Sequence, residues 1–420
     1  MHAELKKIED LEKILLITME LSSEGDLNSL LQMIMTKAKE VISSDRSTIY
    51  LLDEGKNELW SLLTSELEIK EIRFPVGVGI AGQVAQTNEI INIIDAYQDP
   101  RFNPSFDLKT GFKTKSILTL PLRSLRGKVV GVLQMLNRRD QDFYSEYDVF
   151  IMKTFANQVG VILERAELIK SRLKEERLSN ELELASRIQK KLLPSRTMTY
   201  GKFEVSGWNI SCDETGGDYF DFFQLEKGDV LIAIGDVSGH GISAALIMLE
   251  ARALFKAFSS DNKSIGSILE KMNFFLQEDL DPERFMTFFL GRISEKGDKF
   301  EYASAGHDGP IWYNLAKNEV FSLDSTGTVL GFMEGINYPT SEVFELSKGD
   351  ILLFFTDGLF ESINSHGQQF GKNKLTELIK SYKNDSASII SQKICKELED
   401  FCGNQNRQDD ITLVVVKIAP

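Results

Sequence analysis

The spacing of apolar residues predicts a small mixed α/β domain at the start of the chain. Apolar residues recur at helical spacing through residues 3–21 and again from about Leu27 to Val41, with a Ser-Ser-Glu-Gly break between them. Two alternating segments follow, Ser47–Asp53 and Glu58–Thr64, and the Glu-Gly-Lys-Asn sequence between them predicts a β-hairpin.

A long helix is predicted next, from about Tyr144 to Leu193, because this stretch is charged and almost free of Gly and Pro until Pro194. Its apolar residues step by three and four, as a two-helix seam requires: Val159, Ile162, Ala166, Ile169 and Leu173, then Leu178, Leu182, Ala185 and Ile188. This pattern predicts a parallel homodimer formed through the helix. Lys174–Arg177 shifts the phase of the seam, either as a neutral stutter or as a place where helix pairing changes with the state of the first domain.

From Phe203 onward, strand patterns with Gly and Asp turns alternate with helical patterns. The helices are expected near Ile242–Phe258, Ser264–Glu278, Leu375–Lys380 and Ser388–Phe401. This order predicts a layered β-sandwich with helices outside, so the fold class of the whole chain is expected to be α+β.

Acidic residues stand where apolar strands end. Leu231–Gly235 reads as a buried strand that stops at Asp236, after which Ser-Gly-His-Gly makes a tight turn into a helix. Asp218, Asp357 and Asp409 also lie beside runs of β-branched and aromatic residues. Such carboxylates are costly unless positive charge meets them, so this pattern indicates a cation site.

Composition and charge limit the classes of partner and ligand that this chain is expected to bind. The 420 residues suit two domains and a connector, and residues 196–420 hold 34 Asp and Glu against 21 Lys and Arg. This acidity argues against nucleic acid as a partner and suits divalent metals. Three cysteines without metal spacing, and no long apolar segment, predict a reduced cytoplasmic protein that is not a membrane protein.

This group of carboxylates predicts a site for hard metal cations. All-oxygen ligands select Mg²⁺ or Mn²⁺ over Zn²⁺. Two such ions roughly 3.5–4 Å apart activate water for attack on a phosphate ester. His240 and His307, each beside Gly, are either proton carriers in that reaction or side chains that hydrogen-bond turn backbone, and the second interpretation is the favoured one.

Residues 10–165 resemble a GAF domain, on the segments Phe74–Asn88, Ile93–Pro104 and Thr110–Leu122. The likeness is to the GAF subset of cyclic-nucleotide phosphodiesterases and adenylyl cyclases. It implies an antiparallel sheet with helices on its faces and a small-molecule pocket, whose ligand is unknown and for which a cyclic nucleotide is one option. Part of that subset's signature stands at Asn137, Arg138, Phe143 and Asp148, where a structural clamp is the expected role.

Residues 184–420 resemble the metal-dependent PPM, or type 2C, serine/threonine phosphatases, in the bacterial branch that acts on phosphorylated anti-sigma-factor antagonists. Six motifs occur in order: Ala185–Pro194, Glu214–Asp221, Gly235–Gly241, Ser304–Pro310, Phe355–Leu359 and Asp409–Val416.

The PPM resemblance implies roles for particular residues. Asp236 would bridge two metal ions, the carbonyl of Val237 would complete one of them, and the remaining carboxylates are Asp218, Asp357 and Asp409. Asp218 and Asp236 would then be the catalytic pair. Asp221 and Asp410 are expected to support these ligands, and the spacing leaves open which of the adjacent residues 409 and 410 ligates. The chain lacks the Arg that in the wider family precedes the Gly-Gly-Asp segment and grips the phosphate.

These observations predict a GAF sensor at 1–155, a coiled-coil linker at 156–194 and a PPM phosphatase domain at 195–420. The expected function is hydrolysis of phosphoserine or phosphothreonine on a partner protein, regulated by the GAF domain through the linker. A non-catalytic scaffold that binds phosphoprotein is the alternative, although four retained acids argue against it. A cyclic-nucleotide-hydrolysing enzyme would need a His/Asp metal cluster, and the chain has only four His.

Overall fold

The computed structural model describes residues 2–64, 69–259, 264–403, 405 and 407–419. The chain divides into two compact units, Met1–Arg177 and Leu178–Pro420. Of the helices in the described ranges, none has the length and apolar character that crossing a bilayer demands. The sequence-based boundaries at 155 and 194 stay predictions.

The first unit is one antiparallel sheet with helices against it, as the sequence predicted. Its helices are α1 (His2–Ser22), α2 (Leu27–Ile42), α3 (Gly79–Thr87), α4 (Ser105–Thr110) and the first part of α5 (Glu146–Leu192). Its strands are β1 (Ser44–Asp53), β2 (Glu58–Thr64), β3 (Ile69–Pro75), β4 (Ile91–Ile93), β5 (Ile117–Arg123) and β6 (Val129–Arg138), in the order β3-β2-β1-β6-β5-β4. The hairpin β1–β2 is the predicted one, begun three residues earlier.

Helix α2 shows why the core forms where it does. Asp26 caps the helix by accepting a hydrogen bond from the Ser29 amide. Its buried side chains, Leu30, Leu31, Ile34, Ala38 and Ile42, recur at helical spacing and join a core shared with α1, the sheet and α5.

Three of the four signature residues, Asn137, Arg138 and Asp148, form a clamp, whereas Phe143 is 45% exposed. The Asn137 side chain accepts from the Lys115 amide at 2.7 Å and donates to the Lys113 carbonyl at 2.9 Å. Arg138 Nε lies 3.4 Å from Asp148 Oδ1, and Asp148 also accepts from the amide and hydroxyl of Ser145 at the start of α5. These contacts tie the end of β6 to the long helix.

The long helix α5 confirms the predicted continuous helix but changes the interpretation of its seam. Val159 is fully buried in the core of the first unit, and Ile162 and Ala166 pack against that core. The predicted seam therefore cannot begin at Val159, because a spacing of three and four serves a domain core equally well. Every residue from 167 to 181 is exposed, and Leu168, Ile169, Leu173 and Leu178 are each about half exposed or more.

The second unit is a sandwich of two antiparallel sheets. One sheet holds β9 (Tyr219–Gln224), β10 (Val230–Val237), β11 (Met286–Ile293), β12 (Lys299–Ala305) and β15 (Phe344–Glu345), in the order β15-β12-β11-β10-β9. The other holds β7 (Thr197–Tyr200), β8 (Phe203–Ile210), β13 (Ile311–Asn314), β14 (Glu319–Ser322), β16 (Ile351–Phe355) and β17 (Ile411–Ile418), in the order β14-β13-β16-β17-β8-β7.

Helices cover both faces of this sandwich, which confirms the α+β class. They are α6 (Ile242–Phe258), α7 (Ile265–Asp279), α8 (Asp357–Glu361), α9 (Lys372–Ser381) and α10 (Ala387–Cys402). One apolar core lies between the sheets, a second lies under α6 and α7, and a third lies under α9 and α10. Burial on both faces explains why strands such as β10 and β17 are almost continuously apolar.

Candidate metal centre

Asp236 stands near the end of the central strand β10, as predicted. The turn that follows needs Gly239 and Gly241, whose φ angles are +84° and +80°, and α6 begins directly after it. Ser238 fixes this turn to the start of β11, because its amide donates to the Phe285 carbonyl at 2.9 Å and its hydroxyl accepts from the Phe285 amide at 3.0 Å. Asp236 therefore stands on a strand whose end is braced by the turn that follows it.

Asp218 lies just before β9 and reaches across to the other sheet. Its Oδ2 accepts hydrogen bonds from the hydroxyls of Thr356 at 2.7 Å and Thr412 at 2.6 Å. Its Oδ1 is buried and has no hydrogen-bond partner within the described residues. Sequence reasoning missed both threonines, although each stands within a motif that it had singled out.

Asp357 and Asp409 approach from that second sheet. Asp357 directly follows Thr356 at the end of β16, and Asp409 stands two residues before β17, which pairs with β16. Asp218, Asp236, Asp357 and Asp409 are thus brought to one edge of the sandwich, where the ends of β10, β16 and β17 meet the loop before β9.

The pKa values of these carboxylates show that they lie close enough to affect one another. Burial first, and then the charges of neighbouring carboxylates such as Asp357 and Asp409, raises the pKa of Asp236 to about 8. Burial also raises the pKa of Asp218, with the charge of Asp236 as the next cause. The pKa values of Asp357 and Asp409 are raised by burial first and by neighbouring carboxylates after it. Carboxylates that raise one another's pKa in this way form a site that a bound cation would stabilise.

The residues present fit a pair of hard cations in their chemistry. The unpartnered Oδ1 of Asp218 is a buried acceptor that a cation would satisfy. In the described part of the chain, no three His, Cys, Asp or Glu side chains already converge as a ready metal-binding group. Like charges repel one another, so these carboxylates would have to turn inward around an ion.

Asp410 has a different task from its neighbour Asp409. Its Oδ1 accepts from the Cys212 amide at 2.8 Å, and its Oδ2 accepts from the amides of Gly217 at 2.6 Å and Asp218 at 3.4 Å. Both oxygens are therefore used to hold the loop that carries Asp218. A Cβ at Gly216 would collide with the Asp410 carboxylate, which explains the glycine there.

Comparisons with known proteins identify both units. The profile of the Stage II sporulation protein E (SpoIIE) family matches residues 226–419, and that of the GAF domain matches residues 26–163. The chain joins a GAF domain to a SpoIIE/PP2C-type phosphatase domain.

Individual relatives are similar to parts of the chain. Phosphoserine phosphatase RsbU of Bacillus subtilis (strain 168) is 27% identical over 246 residues, which are 58% of this chain and 71% of RsbU. The dual 3',5'-cyclic-AMP and -GMP phosphodiesterase 11 of Drosophila melanogaster is 32% identical over 202 residues, which are 44% of this chain but only 14% of that protein. The SiaA-PP2C domain of Pseudomonas aeruginosa has a TM-score of 0.51 at 21% identity, covering 58% of this chain and 98% of that domain, and it shows the fold alone.

The family assignment made from the sequence is therefore confirmed, and with it the class of serine/threonine phosphatase in signalling. Metal dependence is the expectation for this family, and which residues of this chain bind the metal stays a prediction.

The end of the long helix touches the loop of the phosphatase domain that carries Asp218. The side chain of Gln189 donates to the Gly216 carbonyl at 2.6 Å and accepts from the Gly216 amide at 3.2 Å. Gln189 is only 7% exposed, although most of its neighbours on the helix face solvent. Arg252 of α6 also donates to the carbonyl of Leu192 at 2.9 Å. The helix is thus bonded to the same loop that Asp410 holds from the other side.

Asp221 does not face the other carboxylates. It lies on the α6 side of β9, where its Oδ2 accepts from the Tyr219 hydroxyl and pairs with Lys256, both at 2.7 Å. This ion pair, in which Asp221 is buried and Lys256 is partly exposed, braces β9 against α6 and so supports the site from a distance.

The two histidines singled out in the sequence, His240 and His307, have different surroundings. His307 is buried, its Nδ1 lies 2.8 Å from the Thr287 hydroxyl and its Nε2 lies 3.2 Å from the Phe355 carbonyl, and burial lowers its pKa to about 4. A neutral imidazole bonded to backbone at the end of β16 agrees with the favoured interpretation. His240 is exposed and pairs with Asp213 at 2.6 Å instead of with turn backbone.

Proposed function

We propose that this chain is a metal-dependent protein phosphatase that hydrolyses phosphoserine or phosphothreonine on a partner protein. The observation that carries the proposal is the group of four carboxylates at one sandwich edge, where Asp218 has a buried acceptor oxygen that no hydrogen bond from the described residues satisfies.

Two Mn²⁺ or Mg²⁺ ions are the cofactors that this donor set would hold. Asp236, with the Val237 carbonyl beside it, would be the shared ligand, and Asp218, Asp357 and Asp409 would supply the other oxygens. Ions of this kind, when bound, make water acidic enough to attack a phosphate ester near neutral pH and offset the charge of the phosphoryl oxygens.

The surrounding residues hold one of these carboxylates, Asp218, in position. Thr356 and Thr412 donate to one oxygen of Asp218, which orients the carboxylate and leaves its other oxygen without a hydrogen bond from the described residues. Asp410 draws three backbone amides to itself and so fixes the loop before β9. Preorganisation of this kind spares the site a rearrangement at the moment of reaction.

A phosphorylated anti-sigma-factor antagonist is the substrate class that we infer for the phosphatase domain. The similarity to RsbU, a phosphoserine phosphatase, supports a phosphorylated signalling protein as partner. A cytoplasmic location would follow from such a partner and agrees with three free cysteines.

We further infer that the GAF domain acts on the site through the linker helix. Gln189 at the end of α5 holds Gly216, two residues before Asp218, so a shift or rotation of the helix would move a loop that carries a ligand. Exposed apolar residues along α5, including Leu173 and Leu178, support pairing of two copies through this helix. A cyclic nucleotide is one candidate GAF ligand, supported by the similarity to a phosphodiesterase.

The test is release of phosphate from an aryl phosphate and from a phosphoserine peptide by the full chain, with Mn²⁺, with Mg²⁺ and with chelator. Turnover that needs metal, and that falls at least about 100-fold in Asp236→Asn, is expected. Glu226→Gln is the matched control, because it removes one exposed carboxylate before the opposite end of β10. Silence of the wild type with both metals, on both substrates, would favour the scaffold alternative.

A further inference from the structure

The phosphoryl group of a substrate carries about two negative charges. Binding it places this charge at an edge of the protein that is already acidic. The wider phosphatase family places an Arg before the Gly-Gly-Asp segment for this purpose, and this chain has Asp213 and Glu214 there. The proposed metal ions would offset part of this charge, and a cationic side chain near the carboxylates would add to their effect.

Two cations near the site are already committed to other contacts. Arg284 donates to the Ser238 carbonyl and to the Ser243 hydroxyl, so it braces the turn after Asp236. Lys372 pairs with Asp308 at 2.9 Å and lies over the ring of Phe360. Neither is free to bind an incoming phosphate without giving up these contacts.

Arg407 lies at the edge of open clefts. It lines a cleft of about 350 Å³ together with Asp409 and Gly358, the residue after Asp357. It also lines a second cleft, of about 560 Å³, together with Asp213, the partner of His240. Arg407 therefore borders two clefts, one of which is also lined by Asp409.

The guanidinium of Arg407 is available. Arg407 is exposed and forms no hydrogen bond or ion pair within the part of the chain that the structure describes. It stays unpaired even though the carboxylates of Glu361 and Asp409 line the same cleft. The amide side chains of Gln405 and Gln408 line it too, which adds uncharged hydrogen-bond donors around the cation.

We propose that Arg407 binds the phosphoryl group of the substrate at the cleft beside Asp409. The guanidinium would donate two parallel hydrogen bonds to phosphoryl oxygens, the geometry that makes Arg the preferred residue for phosphate. Gln405 and Gln408 would contact the chain on either side of the phosphorylated residue. This inference rests on the proposed phosphatase function and names the residue that replaces the missing family Arg.

The test measures phosphate binding directly, so that it does not depend on turnover. Inorganic phosphate is titrated calorimetrically into the full chain in the presence of Mn²⁺, for the wild type, Arg407→Ala and Arg407→Lys. Lys348→Ala is the control, because it removes one positive charge from the turn at the far end of β17. Since hydrogen bonds to charged groups contribute about 1.5–3 kcal/mol, phosphate affinity should fall about 10- to 100-fold in Arg407→Ala, partly recover in Arg407→Lys and stay unchanged in the control.

Kinetics with an aryl phosphate and a phosphoserine peptide separates phosphate binding by Arg407 from a role in metal binding or in partner recognition. The proposal predicts that KM rises for both substrates in Arg407→Ala while the Mn²⁺ concentration for half-maximal activity stays within about twofold. Equal phosphate affinity in wild type and Arg407→Ala, or no phosphate binding by either, would overturn it. A defect confined to the peptide would mean that Arg407 recognises the partner's surface and not the phosphate. An inactive wild type that still binds phosphate through Arg407 would count against the phosphatase function and not against this site.

Discussion

Gln189 lies near the end of the linker helix, and its replacement by Ala should weaken metal binding at the proposed site. The change removes the two hydrogen bonds to Gly216, of 2.6 Å and 3.2 Å, and leaves a buried amide and carbonyl without these partners. Each bond contributes about 1 kcal/mol net, and each buried group left unpaired costs about 1–3 kcal/mol, so a loss of about 2–4 kcal/mol is expected. Part of this loss of folding free energy is expected to destabilise the loop that positions Asp218.

Two measurements separate the effect on the fold from the effect on the site. Urea unfolding of the full chain should show the lower stability of the phosphatase domain. Calorimetric titration with Mn²⁺ should show weaker binding, by about tenfold if about 1.4 kcal/mol of the loss is expressed in the bound state. Lys190→Ala is the matched control, because its side chain is exposed on the same turn of the helix and should change neither value.

A Gln189→Ala variant that loses stability as calculated but keeps wild-type Mn²⁺ affinity and wild-type turnover would refute this coupling. In that case the helix would merely be attached to the domain, and a signal from the GAF domain would need another route.

Three further predictions concern residues around the site and in the GAF domain. Asp410→Asn should cost about 2–4 kcal/mol in urea unfolding, because three amides lose a charged acceptor, whereas Asp409→Asn should abolish turnover with little change in stability. His307 has a pKa of about 4 when folded, against 6.5 in the unfolded chain, so its contribution, on the order of 3 kcal/mol, is present above pH 6.5 and lost as the pH falls towards 4. Relative to His307→Gln, wild-type stability should therefore decline over that range, and parallel pH profiles would contradict this. Arg138→Ala should lower the thermal midpoint of the GAF domain, because Asp148 loses its buried partner, without changing aryl phosphate turnover; an unchanged midpoint would mean that these residues form no clamp.

Elements whose signals are local could be predicted from the sequence. Helix α6 was expected at Ile242–Phe258 and lies there, because Gly239 and Gly241 force the turn before it and an apolar pattern follows. The strand ends near Asp236 and Asp357 were predicted for a similar reason: a buried apolar run stops within about two residues of an acid beside Gly.

Features that depend on distant contacts could not be predicted. Asp409 and Asp410 are identical neighbours in the sequence, and their tasks differ only because Asp410 meets amides almost 200 positions away at Cys212 and Gly217. The bond between Gln189 and Gly216 likewise has no signal in the helical pattern. Val159 was assigned to a dimer seam because burial within a domain and burial between two helices have the same spacing.

Calorimetric titration of the full chain with Mn²⁺, beside Asp236→Asn, tests the central claim most directly. We expect about two ions per wild-type chain, lost or greatly weakened in the variant, with the Glu226→Gln control unchanged. No binding by the wild type, or equal binding by the wild type and Asp236→Asn, would contradict a metal centre built on these four carboxylates.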